Sequence, residues 1–314
     1  MRKPWWWRFI LPAGVLTGLV LLCVLGGLVG PILRGLVGGR GPAVAVMKME
    51  GVISSAGGGL LSGAGVQPEQ VAKRVEELIA DPDVRAVVIR INSPGGGVVA
   101  SDEIRKSISK LREAKKPVVA SLAEVAASGG YYIASGSDWI VANPQSITGS
   151  IGVIATVPIV RGLLDRIGVD VEIVRSGPLK GSGSGVNPLG DEERAVLQGL
   201  VDDAYQQFVS IVAGGRKMDR DRVIQLADGR IYNGSQAKSL GLVDEIGDLE
   251  QAIDRAAALA KISGKPRLIE ERRPSFIEEL FSSGAIGRPL PSGALGFTAD
   301  PGAPLQYLYI GPGS

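Results

Sequence analysis

The chain of 314 residues contains no histidine and a single cysteine, Cys23. Without an imidazole, a Ser-His-Asp triad is excluded. One thiol excludes an intramolecular disulfide and leaves the redox compartment undefined. Acidic residues are missing from residues 1–40, which carry Arg2, Lys3, Arg8, Arg34 and Arg40. Removing these five from the 34 basic residues leaves 29 against 32 acidic ones, so the remainder is slightly negative. The pI of 8.6 therefore reports a basic N-terminal flank, and nucleic acid is not an expected partner.

Charge of either sign is absent from Phe9 to Leu33. As a helix this run would reach roughly 37 Å, enough to cross a hydrocarbon core of about 30 Å with some tilt. Trp5, Trp6 and Trp7 precede it, where interfacial aromatics belong. A cleaved secretory signal would need a small-residue processing site, and Leu21 and Leu22 are too bulky for lipoprotein processing at Cys23. The expectation is one N-terminal transmembrane helix with its basic end in the cytoplasm. The globular part then lies on the extracytoplasmic side of the cytoplasmic membrane.

Three regions are expected: an anchor and tether (1–42), a catalytic-type domain (43–265) and a largely flexible Gly/Pro/Ser-rich tail (266–314). Within the second, Ala43–Met47 reads as a strand, and Val71, Val75, Leu78 and Ile79 share one helix face. Val84–Asn92 is a β-branched run suited to a buried parallel strand. Ser101–Ala114 reads as helix, Pro117–Leu122, Trp139–Ala142 and Val169–Arg175 as strands, and Asp191 to about Ala213 as a long amphipathic helix. Three shorter helices follow. The alternation predicts an α/β fold, a mostly parallel sheet with flanking helices.

Three glycine-containing loops follow strands: Asn92–Gly97, Ala126–Gly130 and Thr148–Gly152. The first can aim N–H groups at an anion, although a tight turn explains it equally well and it fits neither nucleotide-binding glycine pattern. In the second, Ser128 stands where a strand gives way to a helix, as an exposed nucleophile or an ordinary N-cap. If Ser128 is a nucleophile, its base must be a lysine. Lys73, Lys106, Lys110, Lys115, Lys116 and Lys217 sit in charged, helical or terminal contexts and are expected to be solvated. Lys180 lies between an apolar run and Gly181–Gly185, a loop able to carry it into a dry site, where burial disfavours the ammonium. Ser150 could then fix its direction.

Asn92–Gly97, Ala127–Tyr132 and Thr148–Gly152 together resemble signature segments of the type A signal peptide peptidases. These are S49 serine peptidases in short, single-repeat form, with the ClpP/crotonase fold. Ala227–Tyr232, Ala237-Lys238 and Leu242–Gly247 add to the likeness, which covers roughly residues 43–260. The resemblance implies Ser128 as nucleophile, Lys180 as general base, Ser150 as the residue orienting that lysine, and the backbones of Gly96 and Gly129 as oxyanion hole. It further implies a membrane-bound ring or dome homo-oligomer cutting residual signal peptides, with serine and lysine drawn from neighbouring subunits. It implies neither cofactor nor metal. Where the family commonly has Ser-Pro soon after the lysine, this chain has Gly181–Pro188. Two other readings share the fold: an acyl-CoA enzyme of the crotonase type, and an inactive scaffold subunit. The second would be expected to have lost Ser128, Lys180 or Ser150, and all three are present.

Overall fold

The computed structural model describes residues 41–55, 65–270 and the backbone of 306–308. The predicted membrane segment Phe9–Leu33 lies outside the described residues. Among those described, no helix is long and apolar enough to cross a membrane. The chain divides into two units, Met1–Gly41 and Pro42–Ser314, and every element below belongs to the second.

The centre is an eight-stranded sheet. β1 (Ala43–Glu50) lies parallel to β2 (Val84–Ser93), and β2 parallel to β4 (Val118–Ala127). A three-residue strand, β3 (Gly95–Gly97), stands outside this sheet. β4 then pairs along its length with two strands in turn, first β5 (Trp139–Ala142) and further on β6 (Ile147–Gly149). The antiparallel β7 (Ile231–Asn233) closes one side and the short β8 (Glu245–Ile246) extends β5. β9 (Arg267–Glu270) pairs with β1 at the other side, inside the stretch expected to be tail.

The β-branched run of β2 is buried on both faces, with Val87, Val88, Ile89 and Ile91 all at 0% exposure. Each such side chain contributes on the order of 1.5–3 kcal/mol relative to an exposed one. Val87, Ile89 and Ile91 face a large core shared with α1 (Pro68–Ala80), α2 (Val98–Glu113) and α3 (Gly129–Ala134). Ala86 and Val88 face a smaller one with Ala252, Ala256 and Ala257 of α8 (Leu249–Leu259). In α1, Val71, Val75 and Leu78 at helical spacing are buried together with Pro68, and Ile79 is half-buried.

Two expectations change. Val169–Arg175 forms no strand, and its side chains are exposed, Val174 at 93%. The region instead carries α4 (Arg161–Ile167), no residue of which is buried. The long helix α5 runs Asp191–Arg216, but only Ala204, Phe208, Val209 and Val212 are buried. Its first half leaves Val196 and Leu200 exposed. The later helices are α6 (Arg220–Leu226), α7 (Gly234–Ser239) and α8.

Candidate active site

β4 ends at Ala127 and α3 begins at Gly129, so Ser128 alone makes the turn from strand to helix. Its backbone has φ 52° and ψ −115°, a conformation costly for a residue with a Cβ. The geometry is held from both sides. The Ser128 N–H donates to the Gly149 carbonyl at 2.8 Å, and the Ser128 carbonyl accepts the Tyr132 N–H at 2.8 Å. Two tyrosines pin the helix that follows. The Tyr131 hydroxyl donates to the Leu242 carbonyl at 2.8 Å and the Tyr132 hydroxyl to Asp102 Oδ1 at 2.8 Å. Burial and the neighbouring Asp102 carboxylate push the Tyr132 hydroxyl up to about 12, so it remains a donor. The Ser128 hydroxyl is buried, yet it has no hydrogen-bond partner among the described residues. An unpartnered hydroxyl on a strained elbow is the arrangement that presents a serine to a substrate rather than to the protein.

Beside the elbow runs β3. Ile53 covers one of its edges: the Ile53 N–H donates to the Gly95 carbonyl at 2.8 Å, and the Gly97 N–H to the Ile53 carbonyl at 2.9 Å. Gly95 and Gly97 thus turn polar groups toward Ile53, so those of Gly96 point to the opposite edge. On that edge lies β10 (Gln306–Leu308), antiparallel, with Tyr307 opposite Gly96. β10 also contacts α2 and α3.

Gly96 and Gly129 come together. A Cβ on Gly129 would sit 3.2 Å from the Gly96 nitrogen and 2.6 Å from Ser101 Oγ. The N–H of Gly129, at the first position of α3, has no acceptor within its helix. The backbones of Gly96 and Gly129 thus meet at the residue after Ser128, and backbone N–H groups are the kind of donor a developing oxyanion takes.

Ser150 follows β6 at φ 50° and is 8% exposed, its N–H bonded to the Arg230 carbonyl at 2.8 Å. It lines a cleft of about 760 Å³ with Val153, Ile154, Tyr205, Asp228 and Arg230. Lys180 is elsewhere. It lines a separate cavity with Val171, Ile173 and Arg175, and among the described residues no hydrogen bond joins it to Ser128. The chain thus groups Ser128, Ser150, Gly96 and Gly129, and places Lys180 on the arm between Ile154 and Gly190.

Lys116, expected to be solvated, instead donates to the carbonyls of Leu78, Ile79 and Asp81 at the end of α1. Burial holds its ammonium below the usual lysine range, against the pull of Asp81. The sequence reading missed Ile53, whose backbone fixes β3, because nothing in an isolated isoleucine signals that role. Among the described residues, no group of three or more His, Cys, Asp or Glu side chains could hold a metal.

An elbow serine beside paired backbone donors defines a class of acyl-transfer site. Residues 110–263 match the model of peptidase family S49. A Synechocystis protein named as a protease is 45% identical over 203 residues, 65% of this chain and 72% of that one. A protein of Enterococcus faecium named as a signal peptide peptidase is 40% identical over 218 residues, 69% of this chain and 63% of its own length. Protease 4 of Salmonella typhi is 34% identical over 253 residues, 80% of this chain and 40% of its own length. The chain thus spans less than two thirds of the last two. It belongs to peptidase family S49.

Proposed function

We propose that this chain is a membrane-anchored serine endopeptidase that cuts short, apolar, extended peptides, residual signal peptides among them. The observation that carries this reading is the junction of Ser128 and β3. A buried, unpartnered hydroxyl on a strained turn stands beside a glycine strand whose outer edge already pairs with an extended segment of chain. A peptide that takes the place of β10 there lies as an antiparallel strand, held through its backbone.

In this mechanism Ser128 Oγ adds to the substrate carbonyl while its proton passes to the neutral amine of Lys180. The N–H groups of Gly96 and Gly129 hold the oxyanion. The carbon–nitrogen bond breaks as the lysine returns the proton to the leaving amine. Water, deprotonated by the same lysine, then hydrolyses the ester and restores the serine. Ser150 orients the lysine. Among the described residues Ser128 Oγ has no partner and Lys180 lines a different cavity, which supports a base supplied by a neighbouring copy in a closed ring or dome. Support for that assembly lies in the arm, where Ile159, Val160, Leu163, Ile167 and Val174 are all exposed. Apolar side chains in such number on one projecting segment mark a surface that docks.

The test is labelling with a fluorophosphonate and mapping the modified residue. Ser128 is the expected site, and Ser128→Ala should lose both label and peptide hydrolysis while keeping its assembly state. Native-rate cleavage by purified Ser128→Ala would refute the assignment.

A further inference from the structure

Two buried serines outside the proposed set of reacting groups grip the two ends of β3. Ser93 Oγ accepts the Gly95 N–H at 3.1 Å, and Ser101 Oγ donates to the Gly97 carbonyl at 2.9 Å. Both are 0% exposed. A serine in a helix often bonds the carbonyl four residues back, and Ser101 taken alone would be explained that way. Its position says more. The Ser101 hydroxyl lies where a Cβ on Gly129 would fall 2.6 Å away, pressed on the residue after the elbow serine. Ser93 does the same one residue on, since a Cβ on Gly130 would lie 2.9 Å from the Ser93 carbonyl oxygen and 3.6 Å from its Cβ.

Each serine therefore bonds one end of the strand bearing Gly96 and packs on the first turn of the helix bearing Gly129. With Gly95 and Gly97 tied to Ser93, Ser101 and Ile53, Gly96 is the residue of β3 left facing the peptide edge. From this we infer that Ser93 and Ser101 are positioning residues, which set the separation between the two oxyanion donors without touching the substrate. The inference rests on the proposed role of Gly96 and Gly129 and adds how their spacing is fixed.

Donors aimed at an oxyanion act on the tetrahedral state and not on the bound substrate. A shift in their spacing should lower kcat and leave KM in place. Ser101→Ala should lower kcat about ten-fold, less than the roughly 10²–10³ lost with a whole donor. A peptide aldehyde, whose hemiacetal oxygen occupies the same hole, should lose affinity by the same factor as kcat/KM. Ser93→Thr, which keeps the Oγ, should recover much of what Ser93→Ala loses. Ser107→Ala, removing a buried serine further along α2, should change neither kinetic constant. Unchanged kcat and aldehyde affinity in Ser101→Ala, or a loss shared equally with Ser107→Ala, would overturn the inference. If Ser93→Ala does not fold, Ser101→Ala carries the test alone. Activity surviving in Ser128→Ala would mean that the reading of the site itself had failed. A dead Ser128→Ala beside an unaffected Ser101→Ala would remove only the positioning role.

Discussion

Replacing Gly96 with alanine bears on both the fold and the chemistry of β3, and the two effects separate. A Cβ at this position would fall 1.9 Å from the Ile53 carbonyl oxygen and 2.7 Å from its carbonyl carbon and nitrogen. These are backbone atoms and cannot rotate away, so the strand must move off Ile53. The movement strains or breaks the two hydrogen bonds, of 2.8 and 2.9 Å, that join Ile53 to Gly95 and Gly97. At about 0.5–1.5 kcal/mol each, the stability loss is about 1–3 kcal/mol. Catalysis should lose more. The displaced Gly96 N–H no longer meets the oxyanion, and loss of one such donor costs on the order of 2.7–4 kcal/mol, roughly 10²–10³ in kcat. Peptide hydrolysis under saturating substrate gives the second quantity, and urea unfolding of the same sample gives the first. A folded Gly96→Ala protein with kcat within about two-fold of native would refute the assignment of Gly96 to the oxyanion hole, since the expected loss is far larger.

Lys180→Arg keeps the charge but cannot give up its proton at working pH, so turnover should vanish with assembly intact. Near-native rates would rule out Lys180 as base. Co-expressed, doubly tagged oligomers of Ser128→Ala and Lys180→Ala should regain activity by pairing one intact serine with one intact lysine across subunits, and hydrolysis no higher than either variant alone would place each site within a single chain. Asp102 offers a pH test of the scaffold. Burial alone would raise its carboxyl, but hydrogen bonds from Lys106, Tyr132 and Arg105 outweigh that and hold it below the usual range. A depressed folded value means that its contribution is present above the unfolded value of about 3.9 and is lost as pH falls through the folded one. Unfolding midpoints measured through the acid range should therefore fall less steeply for Asp102→Asn than for native protein, and parallel curves would show that the carboxylate is not the linked group.

Periodicity made much of the fold legible. The helical spacing of Val71, Val75 and Leu78 and the β-branched run of β2 both correspond to buried faces. Ser128 was legible as a strand-to-helix residue because small neighbours and two glycines leave little else for that segment to be. Val169–Arg175 misled for a physical reason. Apolar alternation records a preference for leaving water but not whether the chain's own core supplies the cover, and here these side chains stay exposed. β9 was missed because its four residues alternate between exposed and half-buried, too weak a signal against the polar sequence around it. The pairing of Gln306–Leu308 with Gly95–Gly97 could not be read at all, since partners two hundred residues apart share no local pattern. Ser93 stood inside a recognised motif and Ser101 opened a predicted helix, but only their common contact with the Gly129–Gly130 turn reveals what joins them.

A recognition edge made of three consecutive glycines has no side chains with which to read a sequence. Whatever lies along it is judged by its backbone, by whether it can offer an N–H and a C=O in extended register opposite Gly96. A folded protein, whose backbone groups are already engaged, fails that requirement whatever its composition. An unfolded one meets it almost regardless of composition. In the proposed peptidase, selectivity at this strand is a selectivity for conformation, suited to clearing chains that have lost or never had a partner. Discrimination among such chains would then fall to side chains outside β3.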